Sequence, residues 1–283
     1  MMEIEVRLLR EADIPAALRL KELALWNQTE NDWRRLLRLQ PSGCFCATIG
    51  GKVVATTTTT TYGRELAWIG MVLVDPECRR LGIATKLMHA ALDYLIRTGV
   101  ATVKLDATPD GCRVYENLDF KVDSLIERWE GVAGGSPTVG CSVLDSSARR
   151  EALVLDRQAF GVDRSTLIKM LIEDAYVRPL VAKAADGRLI GYALARRGSA
   201  AAYVGPLLAS SVNVATTLLN GLLNEMSGQR VYIDLNTNFG EGREILTKLG
   251  LIKQRDLIRM SYGKGSEAGS SPSVFAIAGP EIG

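Results

Sequence analysis

Histidine is almost absent: the chain has one, His89, in 283 residues. Zinc sites draw mainly on cysteine and histidine at short, regular spacing, and this sequence lacks that supply. Its five cysteines, Cys44, Cys46, Cys78, Cys112 and Cys141, are odd in number and unevenly placed. Cys44 and Cys46 have one residue between them where zinc pairs usually have two. No metal and no disulfide framework is therefore expected, and the cysteines read as reduced thiols of a cytoplasmic protein. Net charge is nearly absent too, at +2. That gives no reason to expect nucleic-acid binding or attachment to an anionic membrane. The N-terminus is charged and has no apolar signal-peptide core. The one long uncharged stretch, 198–224, is broken by Gly205 and Pro206 and carries Ser210, Ser211, Asn213, Thr216, Thr217 and Asn220. A strand followed by a helix explains it better than a membrane span.

What is present is organised around residues 73–94. An apolar strand over 66–74 ends at Asp75 and Pro76, a basic turn follows, and a helix opens at about Gly82. Ile83, Leu87, Ala91 and Leu95 recur at four-residue spacing, which puts them on one helix face against a sheet. The first N–H groups of such a helix have no partner within it, and its dipole favours negative charge there. Gly82 removes a side chain that would block close approach, and Arg79 and Arg80 add two cations. The three features together make a receptor for phosphate. The spacing is neither the nucleotide-binding GxxxxGK[ST] nor the dinucleotide GxGxxG pattern.

The rest of the first half reads in order. A strand over 4–9 precedes a helix over 14–26 with Asp13 as its cap. A second helix over 30–39 has Thr29 as its cap and Trp33, Leu36 and Leu37 on its buried face. A hairpin pairs 44–49 with 53–62 around Gly50 and Gly51. Its second strand holds a run of six threonines, 56–61, read as a solvated sheet face because threonine suits a half-exposed strand. After the helix that Gly99 ends come a strand over 102–107, a short helix near 111–118 and a strand over 120–129. Residues 131–140 read as a Gly/Ser/Pro linker. Beyond it the pattern repeats: two helices, a hairpin around Asp186 and Gly187, a strand over 201–208, and then strand, short helix and strand over 231–262 that echo 103–130. This is a tandem duplication. The second copy has Ser210–Thr217, SSVNVATT, where the first has its cations and glycine. A polar spacer over 263–273, read as flexible, leads to an apolar end that suits an added strand.

Arg79-x-x-Gly82-x-Ala84, preceded by Val-Asp-Pro, closely resembles the pyrophosphate loop of the GNAT superfamily of acyl-CoA-dependent N-acyltransferases. The element order of the first half resembles that fold from end to end. Residues 26–33, 68–76 and 106–109 are similar to a group of two-domain bacterial GNAT proteins. The resemblance implies an α/β fold of the α+β kind: two tandem GNAT-like domains, each a mixed, largely antiparallel sheet flanked by helices. The divisions would be a catalytic domain over 1–130, a linker over 131–140, a degenerate second domain over 141–263 and a tail over 264–283.

It also implies acetyl-CoA as co-substrate and an N-acetyltransferase acting on a primary amine of a small molecule or peptide. Val72, Leu73 and Val74 would pair with the pantetheine arm, and Arg79, Arg80, Leu81, Gly82, Ile83, Ala84 and Thr85 would hold the pyrophosphate. A backbone N–H near Met71 or Val72 would face the thioester oxygen, with Gly70 permitting a local bulge. Tyr115 begins a stretch similar to the family's Tyr-x-x-x-Gly-Phe segment and would be the acid that protonates the leaving thiolate. Asp119 stands where that segment has glycine; Asp tolerates the left-handed conformation better than most residues.

Acceptor recognition would fall to Trp26, Asn27, Gln28, Asp32 and Trp33. The same residues suit a core Trp33 beside a Thr29 cap equally well. For the base, Glu65, Asp106, Asp32 and an ordered water are candidates, and His89 lies off the apolar stripe. The chain would be a monomer or homodimer. An acyl-CoA sensor without catalysis is the alternative. A transferase using charged tRNA is disfavoured by the near-neutral balance and the intact loop.

Overall fold

A computed structural model describes residues 3–136 and 138–283. Met1 and Met2 of the first anticipated domain, and Pro137 of the anticipated linker, lie outside the described residues. The chain forms two compact units. The first comprises Met1–Val122, Met260–Ser266 and Ile282; the second comprises Asp123–Arg259, Glu267–Glu281 and Gly283.

In the first unit β1 (Ile4–Leu8) is followed by α1 (Ile14–Leu23) and α2 (Glu30–Leu39). Then come β2 (Phe45–Ile49), β3 (Lys52–Tyr62), β4 (Leu66–Val74), α3 (Ile83–Arg97), β5 (Thr102–Ala107) and α4 (Pro109–Glu116). β1 to β4 pair antiparallel in chain order. β5 pairs parallel with β4 over three residues, Leu66, Ala67 and Trp68 against Thr102, Val103 and Lys104. Beyond Trp68 no described strand pairs β4 on that side. α3 buries Ile83, Leu87, Ala91 and Leu95, the stripe read from spacing, together with Met88 and Leu92.

Two local readings are corrected. Asp13 holds the N-cap position of α1, but its side chain makes no cap hydrogen bond there: its carboxylate takes the Arg7 guanidinium at 2.7 and 2.9 Å and the Arg10 N–H at 2.9 Å, closing the short turn before the helix. The threonine run is not solvated. Thr56 to Thr60 are all buried in a strand against which α1, α2 and α3 all pack.

The second unit repeats the plan. β6 (Lys121–Val132) begins in the first unit and continues through Gly131 and Val132 of the anticipated linker. Next come β7 (Ser142–Val143), α5 (Ser146–Phe160), α6 (Ser165–Glu173), β8 (Leu180–Lys183) and β9 (Leu189–Arg196). They are followed by β10 (Ala202–Ala209), α7 (Val212–Glu225), β11 (Arg230–Asn236), α8 (Gly242–Lys248), β12 (Ile252–Gly263) and β13 (Val274–Ala276). β7 to β10 pair antiparallel, and β6 pairs antiparallel with β11. β10 and β11 are parallel over three residues, Ala202, Tyr203 and Val204 against Val231, Tyr232 and Ile233. The apolar core lies between this sheet and α7, whose Leu218, Leu219, Leu222 and Leu223 are fully buried. Among the described residues no helix is long and apolar enough to cross a membrane.

The terminal apolar stretch is a strand, and it belongs to the second unit, where β13 pairs antiparallel with both β10 and β11. The spacer before it is pinned. Asn236 donates to the Ser271 carbonyl at 2.9 Å, Asn238 to that of Ser270 at 2.8 Å, and Arg259 to that of Gly269 at 2.6 Å.

Candidate active site

The site is built where β4 ends and α3 begins. β4 carries a bulge: its register against β3 slips between Thr56 and Thr58. The left-handed residue is Met71, φ 51°, rather than the neighbouring Gly70. A side chain in that region costs about 1–2 kcal/mol, so the bulge needs support. Thr56 Oγ1 donates to the Met71 carbonyl at 2.9 Å, and Thr57 Oγ1 reaches that of Gly70 at 3.5 Å. The threonines thus satisfy carbonyls that the bulge removes from the ladder. Sequence reasoning missed this role. The available signal was a run of small hydroxyl side chains opposite the strand that feeds the loop. Past the bulge Leu73 is buried in the core and Val72 and Val74 are half-buried.

The loop is fixed at its start. Asp75 accepts the Glu77 N–H at 3.1 Å, holding the single turn Pro76–Cys78, and takes Arg19 Nη1 at 2.7 Å. The Arg19 contact holds the Asp75 carboxyl below its ordinary value against the opposing effect of burial. Arg80 (φ 63°) and Gly82 (φ 74°) are both left-handed, so the chain turns sharply at each before the helix begins. Nothing lies within 4 Å of the Cβ position of Gly82, so the space over the helix end is open. Arg79, Arg80 and Leu81 are exposed, and neither arginine enters an ion pair with a described residue. α3 has no side-chain cap and no acid in its first turn. Ile83 is buried and anchors the helix, whereas Ala84 and Thr85 are more accessible.

The corresponding junction of the second unit is closed. Ser211 caps α7, its Oγ accepting the Val214 N–H at 3.4 Å. One helix end therefore satisfies itself, and the other is left ready for an anion.

Tyr115 sits on α4, partly exposed, with its ring edge-on to Phe120 at 6.1 Å between centroids. Its carbonyl accepts the N–H groups of Leu118 and Phe120, and Asp119 is left-handed at φ 64°, so the turn forms with aspartate in place of glycine. The hydroxyl has no hydrogen bond to a described residue. Crowding around the ring, and then the nearby Cys112 thiol, push the phenol above its ordinary value.

In the 26–33 segment, Trp26 is half-buried and Asn27 and Gln28 are buried. Asp32 Oδ2 takes the Thr29 N–H at 2.7 Å and its hydroxyl at 2.8 Å, while Oδ1 takes Arg35 Nη1 at 2.8 Å. Trp33 has no exposed surface. Asp32 thus builds the helix start and Trp33 supports it from within. Of the base candidates, Glu65 is exposed before β4; His89, which is not among them, is exposed on the surface of α3. Glu65 is about 20 Å of extended chain from Met71. Asp106 is half-buried on β5. Among the described residues no group of three or more His, Cys, Asp or Glu could hold a metal ion.

Comparison with known proteins gives two family matches. Residues 8–120 match the "Acetyltransferase (GNAT) family" model, and residues 152–276 match an "Acetyltransferase (GNAT) domain" model. The chain is 26% identical over 260 residues to an uncharacterized N-acetyltransferase, YitH, of Bacillus subtilis, covering 90% of each chain. It is 25% identical over 264 residues to a holothin acyltransferase of a Pseudoalteromonas species, covering 91% of this chain and 87% of that one. Among solved structures, a putative acetyltransferase from Pyrococcus horikoshii superposes with a TM-score of 0.84 at 22% identity, over 99% of this chain and 96% of that one. A tandem GNAT protein from the clavulanic acid pathway superposes at 0.68 and 17% identity, over 93% and 99%. These two likenesses concern the fold.

Proposed function

The chain belongs to the GNAT acetyltransferase superfamily, with a family domain in each half and a transferase activity, and from that premise we propose that it moves an acetyl group from acetyl-CoA to a primary amine by direct attack. The acceptor is a small molecule or a peptide amino group. The relative named a holothin acyltransferase makes holothin one acceptor to include in the test.

One contrast carries the reading. The α3 end is uncapped, open above Gly82 and flanked by two arginines with no ion-pair partner among the described residues, while Ser211 caps its counterpart. In this reading the N–H groups of Arg80, Leu81, Gly82, Ile83, Ala84 and Thr85 hold the pyrophosphate, with Arg79 and Arg80 as charge partners. The main chain of Val72, Leu73 and Val74 pairs with the extended pantetheine arm, on the side where β5 has parted from β4. A backbone N–H at the Met71 bulge faces the thioester oxygen and stabilises charge developing there. When bound, acetyl-CoA supplies an activated acyl group on a thiol leaving group. Tyr115, protonated at neutral pH, donates to the departing sulfur, and the proton lost by the attacking nitrogen passes to water, from which the phenolate is reprotonated. Trp26 presents the acceptor surface, backed by the buried Asn27 and Gln28, and Asp32 and Trp33 position that segment. The five unpaired thiols fit a cytoplasmic setting.

A second reading, an acyl-CoA sensor, draws on one observation: the carboxylate of Asp32, a candidate base, is occupied by the helix start, taking Thr29 and Arg35. Thiol release from acetyl-CoA over a panel of amines separates the two. Amine-dependent release that Tyr115→Phe suppresses supports the transferase. Saturable acetyl-CoA binding without release on any amine supports the sensor.

A further inference from the structure

We propose that the C-terminal segment, β13 and the residues around it, is a built-in occupant of the second unit's donor cleft, so that each chain carries one donor site. The inference rests on the reading above, in which the donor's arm pairs with a strand that has parted from its parallel neighbour.

That strand geometry occurs twice in the chain. β4 and β5 pair over three residues and then separate; β10 and β11 pair over three residues and then separate. Each outer strand also breaks register near the parting, β4 opposite Thr56 to Thr58 and β10 between Val204 and Leu207. In the second unit the gap is filled. Leu207 and Leu208 of β10 pair with Ala276 and Val274, and Leu235 of β11 pairs with Ala276 from the other side. The Ala209 N–H donates to the Ser273 carbonyl at 2.9 Å, and the Ile277 N–H donates to that of Asp234 at 3.1 Å. These main-chain groups occupy the position that residues 72–74 hold in the first unit. A strand inserted there uses the hydrogen bonds that an amide-bearing arm would need.

The surroundings are shaped to this segment. A Cβ on Gly205 would meet the Ile277 carbonyl oxygen at 2.1 Å, so the backbone of β10 and the tail approach as only a glycine allows. Val274 to Ala278 are at most 1% exposed, and Phe275 packs edge-on against Phe239 at 5.1 Å. Arg196 donates to the Ala278 carbonyl at 2.5 Å and to Glu281 at 3.0 Å, and Asn236 donates to the Val274 carbonyl at 3.1 Å. With Ser211 capping α7, both halves of a donor site, the strand edge and the helix end, are taken by the chain itself.

The test combines calorimetric titration of the full chain with acetyl-CoA and hydrogen exchange of amides 274–277. The expected result is one equivalent bound, with tail amides that exchange slowly whether or not acetyl-CoA is present. Gly205→Val should speed tail exchange by about tenfold or more while stoichiometry stays at one, because Ser210 and Ser211 bring no cation to an opened cleft. Should Gly205→Val fail to fold, Asn236→Ala, which adds no bulk and removes the side-chain donor to Val274, should speed the same amides. Two equivalents on the wild type, tail amides as fast as in an unstructured peptide, or faster tail exchange on adding acetyl-CoA would each overturn the proposal. If the wild type binds no acetyl-CoA, the donor-site reading of the first unit fails, and the tail exchange rate still decides whether the cleft is filled.

Discussion

Replacing both loop arginines, Arg79→Ala with Arg80→Ala, separates ligand binding from folding. Both side chains are exposed and make no ion pair with a described residue. Losing them should change the stability of the unliganded protein by no more than about 0.5 kcal/mol. Toward a pyrophosphate each is worth far more. A hydrogen bond to a charged group contributes about 1.5–3 kcal/mol, and solvent screening at an exposed site favours the lower end. At about 1.4 kcal/mol per decade, each arginine is worth roughly tenfold in Kd and the pair roughly a hundredfold. Ligand stabilisation follows. At acetyl-CoA one hundred times the wild-type Kd, the wild type gains about 2.7 kcal/mol, and the double variant at the same concentration gains about 0.4 kcal/mol. Calorimetric titration gives Kd, and thermal unfolding with and without acetyl-CoA gives the shift. Because the protein has two units, the ligand-induced difference is the quantity to compare. A double variant with Kd within about twofold of wild type would refute the anion-site reasoning. So would one that loses stability without ligand as much as it loses affinity.

Tyr115→Phe keeps the ring packed on Phe120 and removes only the hydroxyl, so kcat should fall by about a hundredfold with little change in KM or melting temperature; an unchanged kcat refutes the acid role. Since the phenol titrates above its ordinary value, the wild type should show no loss of rate attributable to Tyr115 up to about pH 10. Thr56→Val strands the Met71 carbonyl and should cost about 1–3 kcal/mol in urea denaturation. Thr58→Val, whose hydroxyl has no partner among the described residues, should be neutral or stabilising, and equal losses would refute the bulge-support account. Asp75 is held below the ordinary carboxyl range, so its contribution to stability is complete above its unfolded pKa of about 4 and is lost as pH falls through the lower folded value. Asp75→Asn should therefore flatten that part of the stability profile in acid titration, and an unchanged profile would contradict the Arg19 assignment.

The legible parts of the chain were those whose partners are close in sequence. β4, α2 and β5 follow from local pattern, and the α3 stripe follows from four-residue spacing. Asp119 adopts the left-handed turn that its side chain tolerates. What could not be read depended on distant partners. Threonine's preference for strands says nothing about burial, and the carbonyls that occupy Thr56 and Thr57 lie 15 and 13 residues away on a strand whose bulge has no sequence mark. Asp13 sits at the N-cap of α1, but its side chain is taken by the nearby Arg7 rather than by the helix. The tail's apolar character predicted a strand, but its place between β10 and β11 depends on where those strands part. In the acceptor segment, composition could not distinguish a ligand surface from a helix start, and Asp32 turns out to be committed to the latter.

The central claim is that one strand–helix junction of two receives the donor. Hydrogen-exchange protection on adding saturating acetyl-CoA measures this directly. The account predicts slowed exchange over residues 72–74 and 80–85, with no change over 207–217. Protection over 207–217, or no protection at 80–85, would contradict it.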